Sequence, residues 1–207
     1  MNRVRIKICG ITNVDDAKLC VSVGVEMIGL NFYPKSPRYI SPAQAREIVE
    51  ATRNRIEHVG VFVDASAEQV RDVAAIVDLR SMQLHGAASP EICRDLAQEF
   101  RVIRALRTDE SFRPETASAF AGCDVLVDAH HSELHGGTGT TCDWPAAHAT
   151  RAFTRFLILS GGLTSDNVAD AIAQVGPHAV DVCSGVEQAP GIKDQDAVKN
   201  FVTAARG

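Results

Sequence analysis

The sequence predicts an α/β protein, a single-domain (β/α)8 TIM barrel occupying residues 1–207. Three observations lead there. Eight short β-branched or apolar runs recur at a mean spacing of about 26 residues, the period of repeated strand–helix units. Segments with helix-start chemistry separate them, their side-chain oxygens suited to cap the first turn. The turn after the first run is Cys9-Gly10-Ile11-Thr12, not the G-x-G-x-x-G turn of a doubly wound dinucleotide sheet. A closed barrel uses all eight runs, although 207 residues makes it compact.

The first strand candidate covers residues 4–9, with Val4, Ile6 and Ile8 facing one way and Arg3, Arg5 and Lys7 the other. Thr12-x-x-Asp15 then resembles a capping box, and Ala17, Cys20 and Val21 follow on one helical face. The second run, 27–32, leads through a proline-stiffened loop to Ser41-Pro42, a cap followed by proline at the first helical position. Run three, 58–63, precedes Ser66 and AEQVRDVAAIV; run four, 79–84, precedes Ser89-Pro90. Run five, 102–106, and run six, 124–129, are followed by SFRPETASAF and WPAAHATRAF, whose helical periodicity is weaker. Run seven, 156–160, precedes Ser165 and DNVADAIAQV, and run eight, 179–183, precedes Asp194 and QDAVKNFVTAA. No linker, low-complexity tract or sequence repeat interrupts this pattern.

Composition excludes several function classes. With 45% hydrophobic and 23% charged residues, the chain is neither disordered nor fibrous. A net charge of −5, without a basic stripe, argues against a nucleic-acid partner. Any anionic ligand must therefore be held by local groups. No apolar run approaches the roughly 20 residues of a membrane span, so no membrane partner is expected. Six cysteines without C-x-x-C spacing, and no leader-like opening, read as free thiols in a reducing cytoplasm.

In such a barrel the chemistry sits where strands end, at their C-terminal face. Strand one ends at Cys9, strand four at His85 and strand six at Asp128. Strand two runs into YPKSPRY, where Arg38 offers a planar fork suited to a carboxylate. Strands seven and eight end in small loops, Ser160-Gly161-Gly162 and Ser184-Gly185, whose backbone N–H groups can approach a phosphate. Each feature has a plainer reading: a buried inert thiol, a solvent-facing arginine, a structural histidine, a helix-capping aspartate, tight-turn glycines. Two small loops on adjacent final strands favour the phosphate. At the barrel mouth, partial desolvation of Asp128 would move its pKa toward a general acid's range. His130, His131 and His135 have metal-like spacing, but a Gly-rich loop follows and no cysteine pair closes a site, so no metal is expected.

The segments VRIKICGIT, GLNFYPKSPRYIS, VGVFV, QLHG, VDA followed by GGTGTTCDW, LSGGLTSDNV and DVCSGVEQAPGIKD resemble the phosphoribosylanthranilate isomerase family, from about Val4 to Asp194. The resemblance implies a cofactor-free Amadori rearrangement of N-(5-phosphoribosyl)anthranilate. It also implies Asp128 as acid, Cys9 as base and Arg38 on the anthranilate carboxylate. Gly161, Gly162, Ser184 and Gly185 would hold the phosphate and His85 would line the site, in a monomer or homodimer. Thr140 and Cys142 depart from the family's usual pattern, which bears on loop contacts. Two rivals are a histidine-pathway or dual-specificity isomerase and a non-catalytic phosphosugar-binding barrel. The histidine-pathway relatives typically end strand one in Asp, and the binding protein need not keep both Cys9 and Asp128.

Overall fold

The computed structural model describes residues 3–109, 111–128 and 143–207. Strands β1 (Arg5–Ile8), β2 (Met27–Asn31), β3 (Glu57–Val63), β4 (Ser81–His85), β5 (Arg101–Arg107), β6 (Asp124–Asp128), β7 (Leu157–Ser160) and β8 (Ala179–Val182) pair in chain order. All pairs are parallel, and β1 closes the barrel against β8. The helices are α1 (Val14–Ser22), α2 (Pro42–Thr52), α3 (Ala67–Val77), α4 (Pro90–Leu96), α5 (Trp144–Thr150), α6 (Val168–Val175) and α7 (Gln195–Arg206). A 3-10 segment, Pro114–Phe120, stands where a helix between β5 and β6 would be, in line with the weaker periodicity of SFRPETASAF. No helix among the described residues is long and apolar enough to cross a membrane.

The helices start largely where their capping residues stand. Ser41 and Ser66 complete capping boxes with Gln44 and Gln69, and Ser89 and Asp194 cap α4 and α7, contacts worth about 1 kcal/mol each. Two starts differ from expectation. Asn13, not Thr12, caps α1: its Oδ1 accepts from Asp16 N at 2.8 Å, while the Thr12 hydroxyl donates to Gly191 O. Helix α6 begins at Val168, not directly after Ser165, because Asn167 is occupied in the loop, accepting from Thr164 N and donating to Gly162 O. A short hairpin after β8, β9 (Glu187–Ala189) with β10 (Ile192–Lys193), is an addition the periodicity did not announce.

The barrel has two cores. Ile6 and Ile8 face outward and pack with Ala17, Cys20, Val198 and Phe201 of the helices. Met27, Val59, Ile103, Leu126, Ile158 and Ala179 fill the interior. The alternation of β1 is therefore the reverse of a surface strand, since its charged face is the inner one. Lys7 lies level with Met27 and Asp181 across the neighbouring strands, and Cys9 follows on the same side.

Below the apolar layer the N-terminal end is sealed by ions. Glu57 accepts from Arg5 (2.8 Å), Arg101 (2.6 Å) and Ser81 (2.6 Å), and Arg101 Nε reaches Asp124 at 2.6 Å. Arg101 also lies 5.0 Å over the Phe156 ring. Burial works against the Glu57 charge, but Ser81, Arg101 and Arg5 together hold its carboxyl below the usual range. With one end closed, the other is left to bind.

Candidate active site

At the C-terminal ends of β6 to β8 lies a cavity of about 300 Å³. It gathers Arg38, Asp128, Gly161, Gly162, Ser184 and Gly185, together with Ser160, Asp181 and Cys183. Six of the residues singled out from sequence thus share one space. Asp128 is half-buried at the end of β6, level with Arg107 on one side and Ser160 on the other.

The small residues have a steric reason. Gly161 and Gly162 both take positive φ, 93° and 65°, which L side chains rarely adopt. At Gly185 an added Cβ would stand 2.1 Å from Leu163 O and 3.2 Å from a Val182 methyl, so the two final loops pack backbone to backbone. Gly185→Ala is expected to force those loops apart, costing about 1–3 kcal/mol of stability and raising KM. Thermal denaturation and steady-state kinetics on the purified variant check this, and an unchanged Tm and KM would contradict it.

Cys9 is half-buried one residue past the end of β1, with its N–H bonded to Val182 O at 2.8 Å. The Cys183 thiol hydrogen-bonds its sulfur, and Lys7 and Lys193 place positive charge nearby. These effects outweigh burial and the repulsion of Asp181, and lower the Cys9 pKa to about 7, with the Cys183 hydrogen bond the largest contribution. The Cys183 thiol is pushed up in turn by that same bond. Lys193 Nζ is pinned by Cys9 O at 2.6 Å and by Glu187 Oε1 at 2.8 Å.

Arg38 does not face the cavity alone. Glu187 holds it through Nε (2.9 and 3.1 Å) and Nη2 (2.6 Å), so its fork is fixed in direction. Glu187, only 4% exposed at its side chain, also accepts from Gly191 N and Lys193. Glu187 and Lys193, within EQAPGIKD, are not legible as site residues from the sequence. The available signal was one acid and one base flanking a Pro-Gly turn, which brings their side chains back together.

His85 stands apart from this cavity. It lines a neighbouring cleft of about 580 Å³ with Tyr33, Arg104, Arg107 and Phe112. Burial, then the charges of Lys7, Arg104 and Arg107, lowers its pKa to about 4, so the ring is neutral near pH 7. The Gln83 amide lies 2.5 Å from its Nε2, which suits a neutral ring accepting there. His130, His131, His135, Thr140 and Cys142 lie outside the described residues, as does Ala129 beyond β6.

Comparison with known proteins bears directly on this arrangement. A family model described as N-(5'-phosphoribosyl)anthranilate (PRA) isomerase matches residues 6–204. N-(5'-phosphoribosyl)anthranilate isomerase of Thermotoga petrophila is 46% identical over 204 residues, which cover 99% of both chains. The crystal structure of phosphoribosyl anthranilate isomerase from Thermotoga maritima superimposes with a TM-score of 0.91 at 44% identity, again over 99% of each chain. A phosphoribosyl anthranilate isomerase in complex with reduced 1-(o-carboxyphenylamino)-1-deoxyribulose 5-phosphate gives a TM-score of 0.89 at 43% identity, covering 99% of each. Whole-length identity of this order, on a barrel whose strand ends carry the family's motifs, places the chain among its members: it belongs to the N-(5'-phosphoribosyl)anthranilate isomerases, the aldose–ketose isomerases of tryptophan biosynthesis.

Proposed function

We propose that this chain, acting as one barrel domain and as a monomer or homodimer, rearranges N-(5-phosphoribosyl)anthranilate to 1-(2-carboxyphenylamino)-1-deoxyribulose 5-phosphate. Asp128 is the acid, Cys9 the base, and the ligand is a small phosphoribosyl molecule. Asp128 gives its proton to the ribose ring oxygen as the C1–O bond breaks and the anilino nitrogen takes up the resulting double bond to C1. Cys9 then removes the proton from C2, and the electron pair of that C–H bond moves into C1–C2, neutralising the nitrogen. The enol so formed tautomerises to the ketose. Every step moves a proton, so side chains suffice and no cofactor is called for.

The observation that carries this reading is a thiol with a pKa of about 7 at the end of β1, beside a cavity bearing Asp128, Arg38 and two small loops. A base poised near neutrality is the requirement of the second step. Gly161, Gly162, Ser184 and Gly185 would hold the phosphate through backbone N–H groups. His85, neutral, would line the approach from the neighbouring cleft. A fluorescence assay of phosphoribosylanthranilate consumption tests the assignment, with the histidine-pathway substrate as control. Turnover of the first and not the second is expected; turnover of the second alone would overturn it.

Arg38 would meet the anthranilate carboxylate with the part of its fork that Glu187 does not use. Arg38→Ala is expected to raise KM by roughly tenfold or more while lowering kcat less, since a charge-assisted pair contributes about 1.5–3 kcal/mol. A fall in kcat at unchanged KM would move Arg38 from ground-state binding to orienting the transition state.

A further inference from the structure

We propose that Lys7 is a positioning residue for Cys9, a buried cation held by Asp181 so that it supports the thiolate from inside the barrel. The inference rests on the reading of Cys9 as base and names what prepares it.

Lys7 is fully buried, with 0% exposure, two residues before Cys9 on the same inner face of β1. Its Nζ donates to Asp181 Oδ1 at 2.9 Å, and its charge bears on the Cys9 sulfur. Asp181 in turn accepts from the Ser160 hydroxyl at 3.3 Å, so the carboxylate is tied to β7 as well as to β1. The route between ammonium and thiol crosses Gly29 of β2. A Cβ there would stand 2.7 Å from Cys9 Sγ and 3.2 Å from Lys7 Nζ. Bare backbone at that one point lets both groups occupy the same corner.

Stability does not account for the pair. A buried ion pair is often replaced by apolar side chains at no cost or with a gain, and the apolar layer around Met27 and Ala179 shows what such filling looks like. Burial works against the charge on Lys7, yet Asp181 and Cys9 together hold it protonated, above the ordinary lysine range. Within a low-dielectric interior a charge beside sulfur acts more strongly than it would in water. The other charged or titratable groups that bear on Cys9 are Asp181 and Cys183 from the β8 side, Lys193 of β10, and Arg38 from the loop after β2. Of the two lysines, Lys7 acts on the thiol more strongly than Lys193.

The test measures the thiol itself, so it does not depend on turnover. Purified Lys7→Met, and Lys7→Met/Asp181→Asn, which leaves no unpaired carboxylate, are alkylated with iodoacetamide from about pH 5 to 10. Modification is quantified at the Cys9 peptide by mass spectrometry. The midpoint should rise by about one unit or more, making alkylation at pH 6 roughly tenfold slower, with the acid limb of kcat/KM moving in parallel. An unchanged Cys9 midpoint in a folded variant, even one with reduced activity, would overturn the role. If neither variant folds, Gly29→Ala keeps both side chains and drives them apart; its midpoint must rise too, and constancy there overturns the proposal equally. Failure of the Cys9 assignment looks different: the wild-type kcat/KM profile would show no acid limb at the wild-type alkylation midpoint.

Discussion

Cys9→Ala should lower kcat/KM by about 10² to 10⁴-fold while leaving the barrel folded, because it deletes the group proposed to take the C2 proton. The side chain is half-buried and shares its corner with Lys7, Cys183 and bare backbone at Gly29, so alanine leaves a small void rather than a collision. Circular dichroism and thermal denaturation should therefore change little beside the loss of turnover. The wild-type pH profile supplies a second reading of the same residue. With the thiol lowered to about 7, kcat/KM should fall with a limiting slope of one decade per pH unit below that point. The sign follows from the base being active only when deprotonated. Near-normal turnover in Cys9→Ala, or an acid limb set by another group, would remove Cys9 from the chemistry.

Asp128→Asn should produce a loss of comparable size. Asparagine keeps the shape and the position beside Ser160 but carries no transferable proton, so ring opening loses its donor. A substrate that is already ring-opened would bypass the defect, and failure of such a substrate to recover activity would argue that Asp128 serves a later step. Asp128→Ala, which also removes the side chain's bulk, should be no more active than Asp128→Asn if proton donation is the role.

How far the sequence could be read depended on which interactions were local. Caps, prolines at helix starts and strand periodicity are decided within a few residues, and Ser41, Ser66, Ser89 and Asp194 all stand where the pattern put them. The strand ends that carry Cys9, Asp128 and the two small loops followed from counting. What periodicity could not decide was which face of β1 is the inside. The alternation of Arg3, Arg5 and Lys7 with Val4, Ile6 and Ile8 separates two faces without naming the inner one; the apolar face is covered by helices and the inner one holds Lys7. Glu187 was equally hidden, since its pairing with Arg38 spans 149 positions. Thr12 and Asn13 both could cap the first turn, and the Thr12 hydroxyl is engaged instead by Gly191 O, far along the chain. His85 lines a cleft with Arg104, whose guanidinium donates to the Leu84, Ala105 and Gly86 carbonyls, a grouping no one-dimensional pattern encodes.

The ionic seal formed by Arg5, Glu57, Ser81, Arg101 and Asp124 has a consequence for how this chain could change over generations. An apolar layer separates that seal from the mouth, so its substitutions touch neither the thiol nor the phosphate loops. Robustness and chemistry are thus written in different parts of the same strands. A lineage could accumulate tolerance to heat at one end of the barrel, and then draw on that reserve to admit destabilising innovations at the other.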